Sequence, residues 1–118
     1  MEDEKMTRIG EREIQVIENA QGGQGIVTIE RLFPEAFGGT ACRMFSEVTV
    51  KVGAVLGFHK HHNESETYYI TQGVGMYQDN EQTYQVQTGD VVICESDNGH
   101  GITNIGDVEL KFIALIIK

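Results

Sequence analysis

Between Gly53 and Gly73 the chain reads Gly-x5-His59-x-His61-x4-Glu66-x6-Gly, which sets two imidazoles and a carboxylate within eight residues. An extended strand sends the side chains at i and i+2 to one face, so His59 and His61 leave together while Lys60 and His62 point the other way. The intervening His62-Asn63-Glu64-Ser65 is polar and turn-forming. After it, Glu66-Thr67-Tyr68-Tyr69-Ile70-Thr71 reads as a returning strand with Glu66, Tyr68 and Ile70 on one face. Strand, turn and strand therefore converge His59, His61 and Glu66, residue types that suit a borderline divalent metal. The same reasoning leaves His62 and the turn residue Glu64 at the surface.

The rest of the chain shows almost no helical periodicity and many short alternating runs, the signature of an all-β protein. Expected strands are Glu13 to Glu18, Gly25 to Leu32, Cys42 to Val52, Glu66 to Gln72, Val74 to Gln78, Thr83 to Gln87, Val91 to Cys94, His100 to Ile105 and Val108 to Ile117. Gln21-Gly22-Gly23, Phe37-Gly38-Gly39, Asp79-Asn80, Thr88-Gly89-Asp90 and Gly106-Asp107 punctuate them, and the sole proline, Pro34, also falls between strands. From Cys42 to Val52, Met44, Ser46, Val48 and Val50 alternate with Arg43, Glu47, Thr49 and Lys51, as in a strand with one face inward. The last run, Leu110 to Ile117, is apolar on both faces and calls for cover on its second side, for which a partner copy is the candidate. The pattern supports a double-sheet jelly roll enclosing a cavity.

A second histidine motif, Gly89-x10-His100-x3-Asn104, follows the first. Together the two resemble the cupin superfamily, whose first motif is matched at every fixed position. In the second, Gly89, His100 and Asn104 fall in register, while Glu95 stands where the pattern has proline and Asp97 where it has glycine. Asp97-Asn98-Gly99 still carries turn chemistry, with Asn and Gly able to take positive φ, so the loop before His100 is expected to be rebuilt. The resemblance implies a double-stranded β-helix (jelly-roll) barrel, with His59, His61, Glu66 and His100 as the ligands of one divalent transition metal. Mn, Fe(II) and Ni are the preferred ions and Zn is possible. The ligand set is similar to that of oxalate-degrading cupins and flavonol-type dioxygenases, and it departs from the three-histidine set of thiol dioxygenases.

Length and charge narrow the remaining classes. The 118 residues suit one domain spanning 1–118, with residues 1–8 expected to be flexible. A net charge of -9 opposes nucleic-acid binding. No apolar run is long enough to span a membrane, and the acidic start Met1-Glu2-Asp3-Glu4-Lys5 is unlike a secretory signal, so a cytoplasmic protein is expected. Cys42 and Cys94 read as reduced thiols, with Cys94 a possible pocket-wall residue on the run leading to His100.

Three neutral imidazoles and one carboxylate leave a divalent ion with a local charge of about +1, which favours an anionic or chelating small molecule. Four protein ligands on an octahedral ion leave two open positions for it. The leading expectation is a metal-dependent enzyme acting on a small oxygenated or carboxylate substrate, of dioxygenase, decarboxylase, isomerase or lyase type. The alternative is a non-enzymatic module that binds or senses such a ligand. No catalytic residue is assigned; Tyr68, Tyr77 and Glu95 are the acid–base candidates. Tyr68, Met76, Tyr77, Phe58 and Phe112 are expected in the core or pocket wall, and Asn104 in a structural role.

Overall fold

The computed structural model describes residues 6–33, 37 and 41–118. Pro34, the Gly38-Gly39 part of the expected turn and the first five residues of the expected flexible segment lie outside the described residues. The strands are β1 (Ile14–Glu18), β2 (Ile26–Arg31), β3 (Cys42–Val50), β4 (Val55–Lys60), β5 (Ser65–Gln72), β6 (Val74–Asp79), β7 (Gln82–Gln87), β8 (Val91–Cys94), β9 (Gly99–Asn104) and β10 (Leu110–Ile117). They form two antiparallel sheets, one ordered β1-β2-β3-β10-β5-β8 and the other β4-β9-β6-β7, the jelly-roll arrangement. No helix among the described residues is long and apolar enough to cross a membrane.

Strand parity builds the core. Across the larger sheet, Val48 of β3 lies opposite Phe112 of β10, which lies opposite Ile70 of β5, and all three are buried. The next inward row runs Arg31, Ser46, Ala114 and Tyr68. Leu56, Ile102, Tyr77 and Val86 of the smaller sheet close over these rows in one apolar cluster. Phe112 is fully buried, so truncating it to alanine would cost about 3–5 kcal/mol.

β4 is the strand that the alternation pattern did not delimit. Its register shifts between Leu56 and His59 against β9, and Leu56 and Gly57 are buried in succession, which breaks the period of two. Gly57 is required there: a Cβ would lie 2.1 Å from the carbonyl oxygen of Gln21, in the short 3-10 turn Ala20–Gly22 packed against β4. β3 stops at Val50, before Gly53 turns the chain at φ 79°. The two faces of β10 also separate: Leu110, Phe112, Ala114 and Ile116 are buried, while Ile113 and Leu115 are half-buried and Ile117 is exposed on the outer face.

Candidate metal centre

Each histidine is oriented by a partner at Nδ1. His59, near the end of β4, donates from Nδ1 to the Gly57 carbonyl at 2.8 Å. His61 lies one residue beyond β4 and is held by backbone bonds, donating to Asn98 O and accepting from Asp97 N. Its Nδ1 donates to Glu64 Oε2 at 2.9 Å. His100, paired with His59 across β4 and β9, directs Nδ1 to the Tyr77 hydroxyl at 2.8 Å. A carbonyl and a carboxylate only accept, so the proton of His59 and of His61 sits on Nδ1 in the neutral ring, leaving an Nε2 lone pair.

Those Nε2 atoms meet Glu66. Glu66 Oε1 lies 2.8 Å from His61 Nε2, 2.9 Å from His100 Nε2 and 3.7 Å from His59 Nε2. One ligand atom from each of the four residues lies within 4.8 Å of the others. Ligands about 2.1 Å from an octahedral ion stand about 3 Å apart when adjacent and about 4.2 Å apart when opposite, so this cluster fits a first-row divalent cation. The donor chemistry agrees, because the Nε2 lone pairs of His59 and His61 and the Glu66 carboxylate are all acceptors, and a cation satisfies them together.

The electrostatics are those of a buried anion among imidazoles. Burial pushes the Glu66 carboxyl up, but without a metal the neighbouring imidazoles of His100, His59 and His61, when protonated at Nε2, outweigh it and hold the group well below the ordinary carboxylate range. The hydrogen bond to Glu66 raises His61 against the opposing effect of burial. Burial lowers His100, outweighing the pull of Glu66.

Glu64 corrects the surface assignment made from its place in the turn. Its side chain is 11% exposed, and besides His61 it accepts from Arg43 Nε and Nη2, both at 2.9 Å. Arg43 draws its carboxyl down to about 2, against burial and with help from His61. Arg43, Glu64 and His61 form a chain that fixes one candidate metal ligand from outside the cluster. His62 is at the surface as expected, its side chain 69% exposed and paired with Asp97.

The second motif keeps its geometry despite its substitutions. Asp97, standing where the pattern has glycine, takes φ 70° itself; Gly99 does not take positive φ and instead begins β9. Asn80 braces the loop, donating to Asn98 Oδ1 and accepting from Gly99 N. Asn104 is structural, donating to the carbonyls of Val50 and Val108 and accepting from Gly106 N. Phe58 departs from expectation: it is 41% exposed, and its ring covers Gly99 from outside. Cys94 is a buried free thiol that does not line the pocket, pushed up to about 11 by burial.

Three of the four candidate ligands, His59, His61 and Glu66, line a half-open cavity of about 260 Å³. Tyr68, Leu56, Val48 and Met44 form its walls, and Arg31 and Ser46 lie on the side of the N-terminal strands. Tyr68 stacks on the His100 ring at 4.8 Å, its hydroxyl 3.4 Å from His100 Nε2, and burial raises that hydroxyl well above its ordinary range.

The cupin domain family matches residues 46–116. The chain is 36% identical over 101 residues to a Thermotoga maritima protein named oxalate-binding protein, covering 86% of this chain and 84% of that one. It is 33% identical over 89 residues to an uncharacterized protein of Methanocaldococcus jannaschii, covering 75% and 70%. The crystal structure of a predicted oxalate decarboxylase from Thermotoga maritima superimposes with a TM-score of 0.88 at 34% identity, covering 93% of this chain and 96% of the other.

Proposed function

Since the chain belongs to the cupin domain family, we propose that it binds small chelating carboxylates of the oxalate class through a divalent transition metal held by His59, His61, Glu66 and His100. The observation that carries this reading is the convergence of four potential ligand atoms, three of them from residues that line a half-open cavity. When bound, the ion supplies positive charge and open coordination positions for two ligand oxygens. The mixed imidazole–carboxylate set favours Mn, Fe(II) or Ni. Glu64, Tyr77 and the Gly57 carbonyl orient the histidines, and Leu56, Val48 and Met44 give the cavity an apolar wall. The name of the Thermotoga relative supports the same ligand class.

Binding is preferred to turnover because the acid–base candidates are committed elsewhere. Glu95 is exposed and does not line the pocket, Tyr77 is bonded to His100, and the Tyr68 hydroxyl, raised well above its ordinary range by burial, does not serve as a base. Among the described lining residues Glu66 is the sole carboxylate, and it is a proposed ligand. Product detection by mass spectrometry across small hydroxy, keto and dicarboxylic acids tests this preference. Binding without consumption is expected, and turnover of any of them would return the protein to the enzyme class.

We also propose a homodimer in the cytoplasm, where the thiols of Cys42 and Cys94 stay reduced. Its interface is the outer face of the larger sheet. There Ile113 lies opposite Tyr69, which lies opposite Val91, and Leu115, Thr67 and Ile93 form the next row. Tyr69, Val91, Ile93 and Ile117 are each exposed in the single chain.

A further inference from the structure

The cavity is larger than a bidentate oxalate at the metal needs, and its far side is polar. Ser46 is fully buried, and its hydroxyl is the buried side-chain atom that finds no hydrogen-bond partner among the described residues. It lines the cavity, and an unsatisfied buried hydroxyl requires a reason. Arg31 lies directly opposite Ser46 on β2 and lines the same space. Its side chain is 34% exposed, and its nearest described carboxylate is Glu13, at 4.0 Å and itself 79% exposed. Arg43, by contrast, spends Nε and Nη2 on Glu64. Arg31 is therefore the guanidinium with donors to offer a ligand.

Arg31 and Ser46 lie in the cross-strand row of Tyr68, three and two strands from β5, the strand of Glu66. From β2 to β5 is three strand spacings, about 14 Å, with Ser46 on the intervening β3. Resting on the metal-chelation reading above, we propose that Arg31 and Ser46 form a second recognition point for the far carboxylate of a 2-oxo or 2-hydroxy diacid whose near end chelates the metal. Arg31 supplies a charged fork and Ser46 a hydroxyl that would otherwise stay unpaired.

The test is calorimetric titration of Mn²⁺-loaded protein with oxalate, 2-oxoglutarate and 2-oxopentanoate, the last carrying a methyl group in place of the distal carboxylate. Wild type should prefer 2-oxoglutarate to 2-oxopentanoate by about tenfold or more, the effect of one charge-assisted pair. Arg31→Gln should bring that ratio close to one, and Arg31→Lys should retain part of it. Ser46→Ala should weaken 2-oxoglutarate several-fold more than 2-oxopentanoate. Equal affinity of wild type for the two oxo acids would overturn the proposal, as would an Arg31→Gln protein weakened equally toward all three ligands. Oxalate reports separately on the metal: if it fails to bind while the tenfold ratio persists, the chelation reading falls and the Arg31 site stands.

Discussion

His61 Nε2 and His100 Nε2 stand 3.2 Å apart although 39 positions separate them in the chain. One is held just beyond the end of β4 by Asn98 and Asp97, the other on β9, so the jelly roll and the loop before His100 must both form before the pair exists. Both nitrogens also meet Glu66 Oε1, at 2.8 and 2.9 Å, so the three atoms form a triangle of the size a divalent cation's adjacent ligands make.

The protein should accordingly carry close to one divalent transition metal per chain when purified without an affinity tag. His61→Ala should lose most of it, whereas His62→Ala, changed at an exposed side chain, should keep it. Elemental analysis decides this, and equal loss in both variants would contradict the assignment.

Glu64→Gln should weaken metal affinity about 10–100-fold, because the bond that orients His61 loses its charge. The metal-free protein gives an independent readout. The fold lowers the Glu64 carboxyl from 4.5 to about 2, so its stabilisation is complete above about pH 4.5 and is lost as pH falls toward 2. Screening by solvent around the half-exposed Arg43 limits the contribution to about 1 kcal/mol. Urea midpoints of wild type and variant should thus differ near pH 7 and draw together on acidification; a gap that is constant with pH would contradict the ion-pair account.

Much of this site could be read from spacing. Parity placed Glu66, Tyr68 and Ile70 on one buried face, and motif register placed His100 with them. Glu64 could not be read the same way. Its position in a turn says nothing about which way a flexible carboxylate folds, and its partner Arg43 is 21 residues away on β3. β4 was blurred for a different reason: the register shift between Leu56 and His59 and the close approach of Gln21 to Gly57 break the alternation by which a strand is recognised. The role of Asp97 was half visible. The need for a turn was plain, but that an aspartate would take φ 70° in place of glycine follows from the loop being held by Asn80 and His61.

Ser46→Ala should stabilise the unliganded protein by about 1 kcal/mol, since it removes a buried hydroxyl that has no partner. Thermal or urea unfolding checks this. A destabilised Ser46→Ala protein would mean that the hydroxyl serves the fold.

Light scattering at micromolar concentration should give the mass of two chains, and Ile113→Lys, at the centre of the outer apolar face, should shift it toward one. A monomer mass for wild type would count against the interface.

The central claim is that a metal held by His59, His61, Glu66 and His100 is what binds the ligand, and titration of oxalate into metal-loaded and metal-free protein tests it most directly. Oxalate should bind the Mn²⁺-loaded form with one site per chain, and the heat should vanish after chelation and return when Mn²⁺ is restored. Equal binding by the loaded and metal-free forms would contradict the account.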